Sequence, residues 1–329
     1  MSRFFKNPVV LYSAIAIILI IIAAIFLYIN FFTAPQKNAE PERFIVDLNT
    51  DTSEVINQLK TDGFIKNEWL FKLIFWLKGG NQIEPGGYKI SKALNVWQMA
   101  RVFSEPEYMK WVIIPEGLRK EETADILAKI LNWTDDEKQK WITVDTALNY
   151  DYTEGVYFPN TYLISVDEKP ADTAQRLRAK FEEKFAPFSQ EAAKQNIKWT
   201  TILKLASIIQ KEAAGEKDMP LISGILWNRL EKNMRLEVDV TLQYMKGNAE
   251  IGWWPVLKTK DKQTDSPYNT YKYYGLPPHP IANPGLIAIA SALNPQKTNC
   301  LYYIHDALRR THCSATYEQH RANIEKYLQ

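Results

Sequence analysis

The sequence predicts an α+β protein in which one N-terminal transmembrane helix precedes a small α+β module and a larger mixed α/β domain. The first observation is a single long apolar run close to the N-terminus. The second is an irregular succession of strand-like and helix-like segments after that run, with no internal repeat. The third is size, because 329 residues with 46% hydrophobic side chains can form the cores of two domains beyond an anchor.

The N-terminal apolar run has the length of a bilayer-spanning helix. No charged residue occurs between Lys6 and Lys37, and residues 9–32 supply the ~20 apolar positions that a bilayer core requires. Arg3 precedes the run together with Lys6, so residues 1–8 are expected in the cytoplasm and the rest of the chain outside it. A cleaved signal peptide is the alternative, although its apolar region usually has only about 7–15 residues. We therefore expect a single-pass protein of the inner or plasma membrane.

The segment after the anchor predicts a linker and then a small folded module. Residues 33–42 are polar and contain proline, which is typical of a linker. Residues 43–105 read as a strand, a helix, a second helix closed by two glycines, another strand and another helix. The first of these helices begins after an Asp/Thr cap and should bury Val55, Ile56 and Leu59.

Residues 106–329 form the predicted larger domain. They begin with a strand, a turn at 115–117 and a helix, and they continue with an aromatic loop that enters a strand and then another helix. From residue 199 onward we expect a helix over 200–214, a second helix, a long segment rich in aromatic residues and proline, a strand pair and a final helix. The second of these helices should bury four aliphatic side chains: Ile222, Ile225, Leu226 and Leu230.

Composition excludes two kinds of partner. The formal net charge is only +2 and no block of Lys or Arg occurs, whereas nucleic-acid binding requires a concentrated basic surface. The four histidines are scattered, and neither a CxxC nor an HExxH spacing occurs. The sequence therefore predicts no nucleic-acid partner, no metal site and no cofactor.

The two cysteines, Cys300 and Cys313, lie on two short strands predicted on either side of a loop. A hairpin of these strands would bring the two sulfurs near each other, and an extracytoplasmic location permits a disulfide. Two buried thiols are the alternative, and the sequence leaves both interpretations open.

The stretch LKLASIIQKEAAGE, residues 203–216, carries a carboxylate where a helix should be apolar. Its apolar stripe runs through Ile202, Leu205 and Ile209, and the next position on the same stripe is Glu212. A carboxyl group in apolar surroundings favours its neutral form, which raises its pKa. A glutamic acid that stays protonated near neutral pH can act as a general acid. The pattern therefore indicates a catalytic role for Glu212.

Two other interpretations of Glu212 stay open from the helix alone. The side chain could bend out to solvent at the helix end, or it could pair with a buried arginine such as Arg229 or Arg235. The downstream segment favours the catalytic interpretation because it is rich in side chains that stack on sugar rings or bind hydroxyls: Trp253, Trp254, Tyr268, Asn269, Thr270, Tyr271, Tyr273 and Tyr274. Tyrosine-rich loops also occur at many other interfaces, so this composition alone does not decide.

Several motifs occur in the order found in one enzyme family. They are IPEG at 114–117, EGVYFPNTY at 154–162, LASIIQKEAA, GILWNRL, MRLEVDVTLQY, YNTYKYYGLPPHPIANPG, SALNP with LYYI, and THCSATYEQHRANI. In these motifs and in its anchor, the chain resembles the membrane-anchored endolytic murein transglycosylases, the YceG-like or MltG family. The resemblance runs from about residue 43 to residue 329. The pairing of YNTY with GLPPHPIANPG is more specific than any single motif.

The resemblance implies an enzyme that cleaves peptidoglycan glycan strands internally, between N-acetylmuramic acid and N-acetylglucosamine. Such an enzyme is a lyase that adds no water, leaves a 1,6-anhydro-muramic end and, acting on nascent strands, would serve as a terminase of glycan polymerisation. Glu212, which closes the KE motif, is the implied acid/base. Residues 43–105 resemble the LysM-like domain of the family, and residues 106–329 its catalytic domain with a glycan-binding groove. Peptidoglycan, the bilayer and peptidoglycan synthases are the implied partners.

Further matched positions are expected to position substrate in the groove or to hydrogen-bond Glu212. They are Asn228, Asp239, Thr241, Tyr268, Asn269 and Thr270. Each also has a structural interpretation, such as a helix-end hydrogen bond for Asn228 or a helix cap for Asp239. Arg229 and Leu230 are expected to pack and to form an ion pair. The motifs depart from the family pattern at four positions: Asn160, Gln210, Ala213 and Val240.

Two rival functions stay open beside the lyase. A muramidase that adds water would need a second carboxylate near Glu212, for which Asp239 and Glu237 are the candidates. A membrane-anchored glycan-binding scaffold without activity is the other rival. For that function we would expect the glutamate to be replaced, and it is present.

Overall fold

The computed structural model describes residues 8–147 and 152–328. Its first helix, α1 (Pro8–Phe32), contains an apolar span, Leu11–Phe32, with a mean hydropathy of 2.9 and no part of it buried in the protein. By length and composition this span can cross a membrane. The single N-terminal apolar helix that the sequence predicts is therefore present. Arg3 and Lys6, on which the expected orientation depends, lie outside the described residues.

The chain divides into two compact units. The first comprises the residues up to Trp111 together with Leu163–Asp167, and the second comprises Val112–Tyr162 and the residues from Glu168 onward. The first unit contains α1, followed by β1 (Glu42–Val46), α2 (Thr52–Thr61), α3 (Glu68–Leu77), β2 (Gly86–Ile90) and α4 (Val96–Ser104). The boundaries between the units fall within or next to β3 (Met109–Ile113) and β4 (Thr161–Ser165).

A four-stranded sheet has the order β1-β2-β3-β4. Strands β1 and β2 are antiparallel, with Glu42 opposite Ile90 and Val46 opposite Gly86, and β2 pairs antiparallel with β3. Glycine is needed in β2 because a Cβ at Gly86 would lie 2.6 Å from the Met109 carbonyl oxygen. This combination of a mostly antiparallel sheet with helices confirms the predicted α+β class.

The core of the first unit follows from the sequence pattern. Asp51 caps α2 by accepting hydrogen bonds from the backbone N–H groups of the second and third residues after it, at 2.6 and 2.8 Å. The predicted inward residues Val55, Ile56 and Leu59 are all buried. They pack in one cluster with apolar side chains of α3, β2 and α4, which closes the core of this unit.

The second unit is mainly helical. Its elements are α5 (Lys120–Leu131), α6 (Asp135–Lys140), a π-helical turn (Trp141–Asp145), α7 (Pro170–Lys194), α8 (Trp199–Glu212), α9 (Met219–Glu231), α10 (Asp239–Lys246), a 3₁₀ turn (Thr259–Gln263), α11 (Leu286–Leu293), β5 (Tyr302–His305), β6 (Thr311–Ser314) and α12 (Tyr317–Tyr327). The long aromatic segment, the predicted strand pair and the final helix are all found where the sequence places them.

Strands β5 and β6 form the predicted hairpin. They pair antiparallel, with Tyr303 directly opposite Cys313, and a disulfide joins Cys313 to Cys300 across a Cα–Cα distance of 5.8 Å. Of the two interpretations that the sequence leaves open, the disulfide is the one that the structure shows. The crosslink holds the strand that carries Tyr303 to its neighbour.

Two helices differ from the sequence prediction. Helix α8 ends at Glu212 instead of continuing to 214, because Ala213 has extended backbone angles. In α9 the expectation that Leu230 points inward is wrong: Arg229 is the buried residue and Leu230 is half-buried. The arginine can be buried because backbone carbonyls and Glu237 accept hydrogen bonds from its guanidinium.

Candidate active site

Helix α8 places Glu212 at the edge of a cavity in the second unit. The stripe residues Ile202, Leu205 and Ile209 are fully buried, so the same face of the helix carries Glu212 inward at its last position. The cavity has a volume of about 530 Å³, within the size range of small-ligand sites. Its lining includes Glu212, Glu237, Asp239, Arg229, Lys262, Tyr271, Tyr302 and Tyr303.

The carboxyl group of Glu212 is half-buried and hydrogen-bonded from two sides. The Tyr303 hydroxyl donates to its Oε2 atom at 2.7 Å, and the backbone N–H of Val240 also donates to the carboxyl group. Burial raises the pKa of Glu212, the nearby negative charge of Asp239 raises it further, and the two hydrogen bonds oppose these effects. The net result is a raised pKa, which favours the protonated carboxyl group.

A second carboxylate, Asp239, lines the same cavity. It is the first residue of α10, whose N-cap is Val238, so Asp239 does not cap the helix. The Tyr271 hydroxyl donates to its Oδ1 atom at 2.6 Å, and the ammonium group of Lys262 lies 3.7 Å from the same oxygen. Burial and this contact raise the pKa of Tyr271, so that its hydroxyl stays a donor.

Arg229 holds one wall of the cavity together. Its guanidinium donates to the backbone carbonyls of Leu301 at 2.6 Å and of Arg235 and Leu236 at 2.9 Å each. It also forms an ion pair with Glu237 at 3.1 Å, which confirms the expected ion pair. Arg229 is therefore paired with Glu237. The Glu212 carboxyl group accepts its side-chain hydrogen bond from Tyr303 instead of pairing with an arginine.

An ordered polar cluster lies behind Tyr303 on the hairpin. The His305 imidazole lies 5.7 Å from the Tyr303 ring, and its Nε2 atom is 3.1 Å from Asp218. The Thr311 hydroxyl donates to the same carboxylate at 2.7 Å, and so do the backbone N–H groups of two residues just after Glu212. Burial alone would raise the pKa of Asp218, but these hydrogen bonds hold it below its usual range.

The structure places the six predicted groove residues in different surroundings. Asp239 shares the cavity with Glu212. Asn228 instead donates to the backbone carbonyls of Thr298 and Cys300, at 2.8 and 3.0 Å, and lines a separate cavity of about 480 Å³ beside α9 and α11. The ring of Tyr268 stacks near Tyr244, with 5.2 Å between centroids.

The remaining three groove candidates are buried, and their polar atoms bind the protein itself. Thr241 and Thr270 share a hydrogen bond of 3.1 Å, and Thr270 also binds the backbone of Val238. Asn269 donates to the carbonyls of Lys262 and of residue 264 at 3.0 and 2.7 Å. These contacts fix the backbone beside Asp239 and Lys262, so they give the three residues a structural role next to the cavity. A direct contact with substrate stays a prediction.

Tyr303 and Lys262 are the site residues that sequence reasoning did not select. Tyr303 lies within the LYYI motif, yet nothing local marks it, because its partner Glu212 is 91 positions away. Lys262 lies in a 3₁₀ turn with four other charged or polar residues, so its sequence surroundings resemble those of any exposed lysine. For metals, the described part of the chain contains no group of three or more His, Cys, Asp or Glu residues that could hold an ion.

Replacing Asn228 by alanine tests its place in the structure. The change leaves two carbonyl oxygens without their donor, so the free energy of unfolding should fall by about 1–3 kcal/mol, while kcat/KM stays close to that of the unchanged protein. Chemical denaturation and glycan turnover measure the two effects, with Asn294→Ala, an exposed residue in the same region, as the control. A raised KM with unchanged stability would instead show a direct substrate contact.

The fold is an α+β chain with one N-terminal apolar helix, and its candidate site is a half-buried acid on a polar cavity. The sequence model of the YceG-like family matches residues 44–326. The chain belongs to the YceG-like family.

Individual relatives agree with this assignment. The endolytic murein transglycosylase of Bacillus subtilis (strain 168) is 27% identical over 335 residues, covering 94% of this chain and 91% of that protein. The endolytic murein transglycosylase of Streptococcus pneumoniae serotype 2 (strain D39 / NCTC 7466) is 25% identical over 317 residues, 85% of this chain but 57% of that protein. A crystal structure of a YceG-like protein from Listeria monocytogenes superposes with a TM-score of 0.57 at 25% identity, covering 87% of this chain and 99% of that one.

Proposed function

We propose that this protein is an endolytic murein transglycosylase that cleaves peptidoglycan glycan strands without adding water. The observation that carries the proposal is Glu212, a half-buried carboxyl group of raised pKa on a polar cavity. Family membership supports it, since the Bacillus and Streptococcus relatives bear that name. The same activity makes the enzyme a lyase of the cell wall, and on nascent strands it would act as a terminase.

The chemistry requires one group that first gives and then takes a proton. Glu212 donates its proton to the glycosidic oxygen as the bond between that oxygen and C1 of N-acetylmuramic acid breaks. The exocyclic 6-hydroxyl of the same sugar attacks C1 intramolecularly, forming the new C1–O6 bond, and the Glu212 carboxylate accepts the hydroxyl proton. The product is a 1,6-anhydro end. Because the nucleophile belongs to the substrate, proximity replaces the activated water of a hydrolase.

The cavity supplies the other contacts that this reaction needs. Tyr303 and the N–H of Val240 hold the Glu212 carboxyl group in one orientation. Asp239, fixed by Tyr271 and Lys262, places a negative charge close enough to raise the pKa of Glu212. That charge would also stabilise positive charge developing on the sugar ring. The aromatic rings on the cavity wall offer faces for sugar stacking.

A second candidate function is supported by Asp239 itself. A hydrolytic muramidase uses two carboxyl groups that flank the bond, and the structure brings Glu212, Asp239 and Glu237 to one cavity. In that reaction Asp239 would activate a water molecule or act as nucleophile. We favour the lyase because the relatives are named transglycosylases.

The chain organisation fits an enzyme that works at the outer face of a membrane. Residues 1–8 would lie in the cytoplasm, 9–32 would anchor the chain, 33–42 would link the anchor to a LysM-like glycan-holding module at 43–105, and 106–329 would form the catalytic domain. Both folded parts would then face the peptidoglycan. Peptidoglycan synthases in the same membrane are the proposed protein partners, since they produce the nascent strands.

Mass spectrometry of the cleavage products tests the proposal. Purified glycan strands are incubated with the full chain in detergent micelles, and the new ends are identified. The lyase predicts products that end in anhydro-muramic acid and are lighter by one water than hydrolysis products. Hydrated reducing ends would establish the muramidase, and an Asp239→Asn variant would then show whether the second carboxylate is required. Strand binding without cleavage would support the inactive scaffold.

A further inference from the structure

Helix α3 has apolar side chains on two faces, and only one of them is buried. The inner face packs into the core of the first unit through Leu70, Phe71, Ile74 and Phe75. The outer face carries Trp69, Trp76 and Leu77, whose side chains are 69%, 64% and 57% exposed. A helix that is apolar nearly all round is normally covered on both sides, so the outer face needs a partner.

The three exposed residues and the half-buried Leu73 form one continuous stripe. Trp69, Leu73, Trp76 and Leu77 are spaced by four, three and one positions, which places them on the same side of the helix. Exposed Lys72 lies beside the stripe, and exposed Lys78 is the first residue after the helix. A paired tryptophan stripe flanked by lysine is the composition that interfacial membrane helices show.

The beginning of α3 is tied to the end of the membrane helix. Lys66, two residues before α3, donates its ammonium group to the backbone carbonyl of Ile29 at 3.1 Å and to the Thr33 hydroxyl. Ile29 and Thr33 lie in and just after the last turn of α1 (Pro8–Phe32). The first turn of α3 is therefore held at the level where α1 leaves the membrane.

The end of α3 is tied to the same place by aromatic contacts. The ammonium group of Lys78 lies 5.8 Å from the centre of the Trp97 ring. The Trp97 ring in turn contacts Phe31 of α1, with 6.5 Å between centroids. One end of α3 is therefore linked to the last turn of α1 through Lys66, and the other end is linked to it through Trp97 of α4, so the helix lies close to the exit point of the anchor.

The segment between α1 and β1 is bound to the first unit, which keeps that unit close to the end of α1. The backbone N–H of Gln36 donates to the Lys92 carbonyl at 3.0 Å, and the Ser91 hydroxyl donates to the Ala39 carbonyl at 2.6 Å. Residues of the predicted linker are thus bound to the first unit. The distance between α3 and the membrane is set by folded contacts and not by a free tether.

We propose that the outer stripe of α3 lies in the interfacial layer of the membrane, so that the first unit rests on the lipid surface. Trp69 and Trp76 would sit at the level of the headgroups, Leu77 would reach toward the acyl chains, and Lys72 would contact anionic headgroups. The inference rests on α1 spanning the bilayer and goes beyond the proposed catalytic function. Its consequence is that the first unit has a fixed height above the membrane.

Lipid quenching of tryptophan fluorescence tests this contact. The full chain is reconstituted in vesicles of phosphatidylethanolamine and phosphatidylglycerol, with part of the lipid brominated close to the headgroup. Residues 8–32 contain no tryptophan among the ten in the chain, so quenching reports on the region outside the anchor. We expect strong quenching, most of which disappears in Trp69→Phe/Trp76→Phe. The control Trp199→Phe/Trp227→Phe, which removes two half-buried rings of the second unit, should keep it.

Other outcomes would overturn the proposal. If the unchanged protein is not quenched by brominated lipid, or if the Trp69→Phe/Trp76→Phe variant is quenched as strongly as the control variant, α3 does not touch the bilayer. A tryptophan can also stack on sugar, so purified glycan strands are added to the detergent-solubilised chain. An emission change that requires Trp69 and Trp76, together with absent lipid quenching, would assign the stripe to glycan. Glycan cleavage by the same samples is measured separately, so a failed catalytic proposal is recognised by itself.

Discussion

Replacing Glu212 by glutamine is expected to lower the rate of glycan cleavage by about 10²–10⁴-fold, the usual contribution of a general acid–base residue. The amide has the size and shape of the carboxyl group but cannot donate a proton to the glycosidic oxygen or take one from the 6-hydroxyl. The Tyr303 hydroxyl can still donate to the amide oxygen in place of Oε2. The variant should therefore keep its fold and its affinity for glycan strands.

Turnover of purified glycan strands measures this effect, and a thermal unfolding curve shows whether the variant is folded. The matched control is Glu216→Gln, four residues further along and exposed, which changes the same functional group and should leave turnover at the unchanged level. A Glu212→Gln variant that is folded and cleaves at a rate close to that of the control would remove Glu212 from the mechanism. Asp239 and Glu237, the other two acids that line the cavity, would then be the candidates for the acid.

Glu212 could be found from the sequence because its signal is local. The stripe of Ile202, Leu205 and Ile209 fixes the inward face of α8, and the period of the helix carries that face to position 212. The same reasoning predicted the buried residues of α2 and the strand pair that holds the disulfide. Periodicity over ten or so residues is enough for such predictions.

The partners of Glu212 could not be found in this way, since they come from distant parts of the chain. Tyr303 reaches it from β5 and Val240 from the start of α10, and no local pattern links these segments. The polar residues of the YNT motif show a different difficulty, in which one local pattern fits both a ligand contact and a structural role. Asn269 and Thr270 resemble ligand-binding residues in the sequence, but a side chain that satisfies nearby backbone groups has the same composition.

The side chains that become buried could not all be predicted from the sequence, as Arg229 and α3 show. The sequence allows a buried Arg229 but also predicts an inward Leu230, whereas the structure buries only Arg229, whose guanidinium donates hydrogen bonds to carbonyl groups of a neighbouring segment. In α3 the sequence predicts a helix correctly but cannot tell which of its two apolar faces is covered by the protein. Only the packing of α3 against α2 and α4 in the folded unit distinguishes them.

Removing the Tyr303 hydroxyl is expected to have the second largest effect. In Tyr303→Phe the aromatic ring keeps its place, but the hydrogen bond of 2.7 Å to Glu212 is lost. A hydrogen bond to a charged or titrating group contributes about 1.5–3 kcal/mol, so kcat/KM at its optimum should fall by about 10–100-fold. The orientation of the carboxyl group toward the glycosidic oxygen is what the variant loses.

The pH dependence distinguishes this positioning role from a general loss of structure. Glu212 must be protonated to act as the acid, so kcat/KM falls as pH rises through its pKa. The Tyr303 hydrogen bond stabilises the carboxylate and lowers the pKa of Glu212. Without that bond the pKa rises, and the descending limb of the pH profile should move to higher pH even though the maximum is lower.

A profile of kcat/KM against pH for both proteins is the measurement, and Tyr327→Phe is the control. Tyr327 lies in α12 and stacks on His312 at 3.6 Å between centroids, so the change removes a hydroxyl from the same unit without touching Glu212. Its profile should overlay that of the unchanged protein. If Tyr303→Phe lowers the rate with the descending limb in its original position or at lower pH, the hydroxyl does not set the proton affinity of Glu212. The pKa of the acid would then be governed by burial together with the Val240 N–H and the charge of Asp239.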